Sequence, residues 1–241
     1  MKTLFKALRR PASAAERMNW KKNKFVRLRF KGGQDTDSLP LRWSDLPSRS
    51  SFLNQCLERY AYSSYLEIGC DQNDNFNAID CENKTGVDPK SGGTIRSTSD
   101  EFFAVNQQSF DLIFIDGLHH SGQVQADVKN ALACLKPNGT IVLHDCLPVS
   151  EAQQAVPREQ LVWNGDCWKA VTWLRTLPEI DVAVGKFDHG VGVVKPRRNT
   201  APLSLEVSEQ HVSNLRWQDF HANYQEWLRV MEYDDLLDWI K

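Results

Sequence analysis

Two short stretches of this 241-residue sequence bring together side chains able to move a proton or hold a cation. Asp116 and His119 form an Asp-x-x-His pair just after the run Phe110-Asp111-Leu112-Ile113-Phe114-Ile115. His144 and Asp145 end a second run, Thr140-Ile141-Val142-Leu143. A neutral imidazole, with a reference pKa of about 6.5, suits removal of a proton from an attacking hydroxyl. Asp116 and Asp145 together offer the oxygen ligands that Mg²⁺ prefers. His144 is a poorer ligand for that ion; it suits a transition metal, a second base or a core position. Two more positions belong with these. Gly69 lacks the side chain that would hold a backbone turn away from a ligand. Asp88 ends its own short stretch and is followed by Pro89.

Such residues need a scaffold that presents them on one edge. Residues 65–68, 85–88, 94–97, 110–116, 140–145, 182–187 and 191–194 read as strands, with 94–97 the weakest. Helical spacing appears after Ser50 or Ser51, over 76–80, after a cap at Ser99 or Asp100, over 123–135 and over 167–177. Lys136-Pro137-Asn138-Gly139 reads as a turn. Strands alternating with helices imply parallel β-α-β units. The near-continuous apolar run at 110–116 suits a strand covered on both faces. The last two strands are joined only by Asp188-His189-Gly190, too short for a crossover helix, so they form an antiparallel hairpin. The expected fold class is α/β: a doubly wound, Rossmann-like seven-stranded sheet closed by that hairpin, with an appended helical tail. In such sheets ligands bind beyond the carboxyl ends of the strands, where strand order reverses. Gly69, Asp88, Asp116 with His119, and His144 with Asp145 all fall at such ends.

Glu67-Ile68-Gly69, followed one strand later by Asp88, resembles the first two motifs of class I S-adenosylmethionine-dependent methyltransferases. Residues 110–119 and 139–145 resemble a family of small-molecule O-methyltransferases that includes macrolide-sugar and polysaccharide-associated members. The resemblance covers about residues 50–196. It implies S-adenosylmethionine as cofactor, bound by Glu67, Gly69, Asp88, Ser99 and Asp116. Glu67 would bond the loop backbone or the cofactor's amino group, Asp88 both ribose hydroxyls, and Ser99, with Asp100, would lie near the adenine. His119 would be the general base, with Asp116 and Asp145 beside it. Asp116, His144 and Asp145 would hold Mg²⁺ or another divalent ion, although relatives commonly carry an acid where His144 stands. The expected reaction is O-methylation of a hydroxyl on a small molecule or glycan. One departure is plain: Gly69 is followed by Cys70-Asp71-Gln72-Asn73, with no second glycine, so Asp71 and Asn73 must supply the turn geometry. Trp163–Lys169 form an aromatic-polar loop that either shapes an acceptor pocket or packs the following helix.

Two alternatives stand beside this reading. A nicotinamide-dependent dehydrogenase needs G-x-G-x-x-G after the first strand, and Gly69-Cys70-Asp71-Gln72-Asn73-Asp74 does not supply it. A catalytically degenerate S-adenosylmethionine-binding or scaffold protein would explain the thinned loop, but not the retention of Asp116, His119 and Asp145. The chain divides into a basic leader (1–36), a cofactor-binding domain (37–200) and a helical extension (201–241). Residues 1–32 hold eleven Lys or Arg against the single acid Glu16, and read as a solvated, partly disordered arm. Leu4, Phe5 and Leu8 allow weak membrane-surface contact, and no specific nucleic-acid partner is expected. The tail's stripe of Trp217, Phe220, Tyr224, Trp227, Leu228 and Met231 reads as packing, either internal or in a homo-oligomer. The six cysteines show no CxxC spacing, and no apolar run is long enough to span a bilayer, so free thiols in a cytoplasmic protein are expected.

Overall fold

The structure is a computed structural model that describes residues 12–30, 38–43 and 47–241. The contact expected of Leu4, Phe5 and Leu8 lies outside the described residues. The chain runs through α1 (Ala14–Phe30), α2 (Arg49–Arg59), β1 (Ser64–Ile68), α3 (Asp74–Ala78) and β2 (Asn83–Val87). Then come α4 (Ser99–Val105), β3 (Phe110–Ile115), α5 (Ser121–Ala133), β4 (Leu135–Leu143) and α6 (Glu151–Gln154). It closes with α7 (Cys167–Leu174), β5 (Asp181–Gly185), β6 (Val191–Lys195), α8 (Trp217–Leu228), β7 (Val230–Met231) and α9 (Tyr233–Trp239).

The seven strands form one sheet in the order β2-β1-β3-β4-β6-β5-β7. The first four are parallel, and β6 is antiparallel to both β4 and β5. Successive strand side chains point to opposite faces, and the core follows that period. Ile113, Ile115, Ile141 and Leu143 pack in one cluster with α5, α7 and α8, through Val128, Trp168 and Phe220. Leu112, Phe114 and Val142 pack in the other with α2, α3 and α9, through Phe52, Phe76 and Leu236. Burial on both faces explains why β3 reads as an almost unbroken apolar run.

Several expectations change. Residues 94–97 are not a strand; only an isolated bridge joins Val87 to Ile95. The Thr94 and Ile95 amides both donate to the Gly86 carbonyl, at 2.8 and 2.9 Å, so this segment turns across the end of β2 instead of running beside it. The seventh strand comes from the tail. Arg229 takes a left-handed conformation (φ 49°) that ends α8 and turns the chain onto the open edge of β5, where Val184 pairs with Val230. Residues 201–241 are thus part of the sheet and its cover, not only a helical extension. Lys136–Gly139 lie within β4, whose pairing with β3 shifts between Phe110 and Leu112. The cap of α4 is Thr98: its Oγ1 accepts the Glu101 amide and the Glu101 carboxylate accepts the Thr98 amide.

Residues 14–30 are helical, and one side of α1 is docked. The Arg27 side chain is buried, with Nε 2.9 Å from Glu159 Oε1 and Nη1 2.6 Å from Glu151 Oε2. Asn23 donates to the Arg158 carbonyl, and the Arg158 guanidinium sits 4.9 Å over the Trp20 ring. Specific ion pairing, not general charge, holds this part of the leader. Among the described residues no helix is long and apolar enough to cross a membrane.

Candidate active site

The order β2-β1-β3 places the reversal of strand order between β1 and β3, and the candidate residues gather there. Gly69 (φ +90°) makes the turn after β1. A Cβ there would fall 2.3 Å from the Asp116 carbonyl oxygen, so only glycine lets the β1 turn lie against the β3 turn. The glycines that are missing after it are replaced as expected: Asp71 (φ 43°) and Asn73 (φ 66°) both take left-handed conformations. The Asn73 side-chain oxygen accepts the Gly93 amide at 2.6 Å and ties the loops after β1 and β2 together.

Asp88 sits beside that turn. Its Oδ2 accepts the Asp71 amide at 3.0 Å, and its Oδ1 accepts the Lys90 and Ser91 amides at 2.7 and 2.9 Å. Asp88 thus caps two loops at the end of β2, with both carboxylate oxygens engaged by backbone amides. Glu67 is buried and turns towards α3: Oε2 accepts the Tyr65 hydroxyl at 2.5 Å and the Asn75 amide at 2.8 Å. Burial pushes its carboxyl up to about 7 against these two bonds. Ser99 stands apart from the turn in its contacts: its hydroxyl accepts from Gln123 of α5 at 3.2 Å, which braces α4 on α5.

The second half of the site lies beyond β3 and β4. His119 Nε2 and His144 Nδ1 both approach Asp116 Oδ1, each at 3.2 Å. His119 Nδ1 lies 3.2 Å from the Trp163 carbonyl and 3.3 Å from Asp145 Oδ2. His144 Nδ1 is 3.6 Å from Asp145 Oδ2, and its Nε2 is 2.9 Å from the Asp188 carbonyl oxygen. A carbonyl accepts only, so His144 Nε2 carries a proton. In a neutral ring the Nδ1 lone pair would then face the Asp116 and Asp145 carboxylates. That arrangement requires positive charge at this point, either a second proton on the ring or a cation among the three groups. The same reasoning applies to His119, whose Nδ1 donates to the Trp163 carbonyl while Nε2 faces Asp116.

The electrostatics agree. Burial works against charge on His144, but the carboxylates of Asp116 and Asp145 outweigh it and hold the imidazolium well above its usual range. For His119 the balance is the same, with Asp145 the strongest opposing influence. Burial would raise Asp116, yet His144, His119 and Arg49 hold it well below the usual carboxylate range. Asp116, His144 and Asp145 each present one ligand atom, all within 4.8 Å of one another. Beside them the Asn164 amide donates to Asp145 Oδ1 at 3.0 Å, while its own side-chain oxygen is buried without a partner. A convergent donor set demanding positive charge, next to an orphaned acceptor, fits a hydrated divalent cation.

Sequence reasoning missed several members of this cluster. Arg49 opens α2, with Nε 3.8 Å from Asp116 Oδ2 and Nη1 3.5 Å from Asp188 Oδ1. Asp188, in the β5–β6 turn, accepts the Arg49 amide at 2.6 Å and lies 3.3 Å from His144 Nε2. Trp163 was not missed: it belongs to the loop expected either to shape an acceptor pocket or to pack the following helix, and it stacks on His119 with centroids 5.2 Å apart. The Asp-His-Gly turn was visible as a hairpin, but nothing in its spacing pointed to His144. His120, next in sequence to the predicted base, has its ring against the edge of Trp163.

Residues 51–146 match the model of a family described as a methyltransferase domain. That segment holds the Gly69 turn, Asp88 and the Asp116/His119/His144/Asp145 cluster. No curated protein matches the chain. Among solved structures, the chain is similar to a protein from Klebsiella pneumoniae at 12% identity, covering 75% of this chain and 99% of that one, with a TM-score of 0.49. It is also similar to the SAH-bound methyltransferase of Podospora anserina (19% identity, 77% and 89% covered, TM-score 0.47). A third likeness is to the Bacillus cereus O-methyltransferase in complex with SAH (13%, 73% and 90%, TM-score 0.43). Over residues 51–146 the chain is thus similar to a methyltransferase domain, and that segment carries the four parallel strands β1 to β4.

Proposed function

We propose that this enzyme transfers the methyl group of S-adenosylmethionine to a hydroxyl of a small molecule or glycan, with His119 as general base. The observation that supports this most is the approach of His119 and His144 to a single oxygen of Asp116, each at 3.2 Å, at the carboxyl edge of β3 and β4. Gly69, Glu67 and Asp88 lie across the strand reversal from that cluster, which leaves the donor on one side and the acceptor on the other. In the reaction the hydroxyl oxygen forms a bond to the methyl carbon as the carbon–sulfur bond breaks, and the hydroxyl proton passes to His119 Nε2 once that nitrogen turns from Asp116 Oδ1 to the acceptor. Asp145 and the Trp163 carbonyl hold Nδ1, which leaves Nε2 as the nitrogen that can exchange Asp116 for the acceptor. Asp116, His144 and Asp145 would hold a divalent ion, which when bound lowers the pKa of the hydroxyl. Trp163, stacked on His119, forms one wall for the acceptor.

The base works only in its neutral form. Because the neighbouring carboxylates raise His119, the rate is expected to climb with pH beyond the ordinary imidazole range. The decisive experiment pairs calorimetry with a transfer assay using labelled S-adenosylmethionine and a panel of phenols, catechols and sugars. His119→Ala should cut turnover by about 10²–10⁴ while cofactor affinity holds. No binding of S-adenosylmethionine would sink the proposal. Binding with no transfer to any hydroxyl would favour the non-catalytic cofactor-binding reading, which the engaged oxygens of Asp88 and the thinned glycine loop support.

A further inference from the structure

Helix α1 carries its apolar residues on the wrong side for a helix packed on a core. Its inner side binds the segment 151–159 mainly through polar groups, Asn23 and the buried Arg27, with Trp20 as the aromatic among them. Met18, Phe25 and Leu28 face outward, with Met18 71% and Phe25 61% exposed. Lys21, Lys22 and Arg29 are exposed too, and from Met18 their offsets of three, four and eleven residues put them on the face that Phe25 and Leu28 share at seven and ten. The one acid of the helix, Glu16, is not among these exposed residues.

We infer that this outer face of α1 docks on an anionic membrane surface. Basic side chains around aromatic and aliphatic ones on a helix lying along a body are the chemistry of interfacial binding: the bases meet lipid headgroups while the apolar groups enter the acyl boundary. Two other occupants fit less well. A second copy would bring like charges together across an isologous contact. A nucleic acid would use the bases and leave Met18, Phe25 and Leu28 exposed. The inner side of α1 ties the surface to the site, because Arg158 lies between the Trp20 ring at 4.9 Å and the Trp163 ring at 5.6 Å, and Trp163 stacks on His119. A docked helix would therefore hold the acceptor side of the enzyme next to the lipid surface.

The test is sedimentation of the full chain with vesicles of phosphatidylcholine, alone or mixed with phosphatidylserine, at about 0.1 M salt. The wild type should sediment with the mixed vesicles only. Each base near an anionic surface is worth about fivefold in affinity, so the triple variant Lys21→Glu, Lys22→Glu, Arg29→Glu should bind about 100-fold more weakly. The double variant Met18→Ser, Phe25→Ser should lose about tenfold, with far-UV circular dichroism and the urea midpoint unchanged for both variants. Failure of the wild type to sediment, or binding by both variants at the wild-type level, would overturn the inference. So would loss in the charge variant alone, which marks plain polyanion attraction. Self-association abolished by Phe25→Ser, with no vesicle binding, would assign the face to a second copy instead. None of these outcomes depends on methyl transfer.

Discussion

Glu67 holds a proton that most carboxyls release. Burial raises its pKa from the usual 4.5 to about 7, and the Tyr65 and Asn75 bonds only partly offset this. Between those two values the folded protein keeps a proton that the unfolded chain gives up. Stability contributed by Glu67 is therefore highest below about 4.5 and falls as pH rises towards 7. Glu67→Gln should remove that fall, worth about 3 kcal/mol across the window, when urea unfolding of the two proteins is compared at each end. Parallel pH curves for the variant and wild type would rule this out. The motif made Glu67 visible, but its partners came from a neighbouring strand position and from α3. The same holds for His119 and His144: their types suggested proton or metal chemistry, while the single Asp116 oxygen they share emerged only from the fold.

The loop of residues 163–166 is the element that closes the cluster. Gly165 has φ +61°, and a Cβ there would fall 1.8 Å from the His119 carbonyl oxygen. Asp166 completes the clamp: its amide donates to the His119 carbonyl, and its carboxylate accepts the Ser121 amide at 2.7 Å, at the start of α5. Gly165→Ala must push this loop off His119. We expect it to cost about 1–3 kcal/mol in stability and to lower turnover more than cofactor affinity. Wild-type kinetics in the variant would show that the clamp does not position the base. A smaller effect belongs to the start of α4, where Thr98→Ala should cost about 1 kcal/mol in thermal or urea unfolding by removing the capping box. Sequence patterns located α4 and α5 well, because their apolar spacing is local. They placed the cap of α4 one or two residues late, because Ser99 and Asp100 are equally good cap residues and only backbone geometry chooses among the three.

At the scale of the molecule, the tail and the histidine cluster show two ways in which distant parts of the chain meet. Asp181 is fully buried and is paired by Arg197 at 3.2 Å and by Arg229 at 2.9 Å, the second of these from the tail. Leu236 is fully buried against the sheet through α9. Leu236→Ala should therefore cost about 2–5 kcal/mol by urea unfolding, as a core residue would and a loose extension would not. For the cluster, Mn²⁺ or Mg²⁺ should raise the melting temperature of the wild type by binding the folded state. Asp145→Asn should abolish that rise while leaving the protein folded. A metal-induced shift of equal size in both proteins would remove Asp145 from the ligand set.

What this sequence determined by itself was local in origin. Short apolar runs and helical spacing marked β1, β3, β4, the closing hairpin and most helices. The Glu-x-Gly turn with Asp88, Asp116, His119, His144 and Asp145 marked the sheet edge that carries the candidate site. Tertiary structure decided everything that rests on contacts between remote segments: the seventh strand from Val230–Met231, the bracing of His144 by Asp188 and Arg49, and the burial of Glu67. It also decided which side of α1 faces outward, because Arg27 can bind Glu151 and Glu159 only once the chain has folded back. Periodicity reports what one segment must bury, whereas the partner of a charge depends on strand order and loop closure, which no single segment encodes.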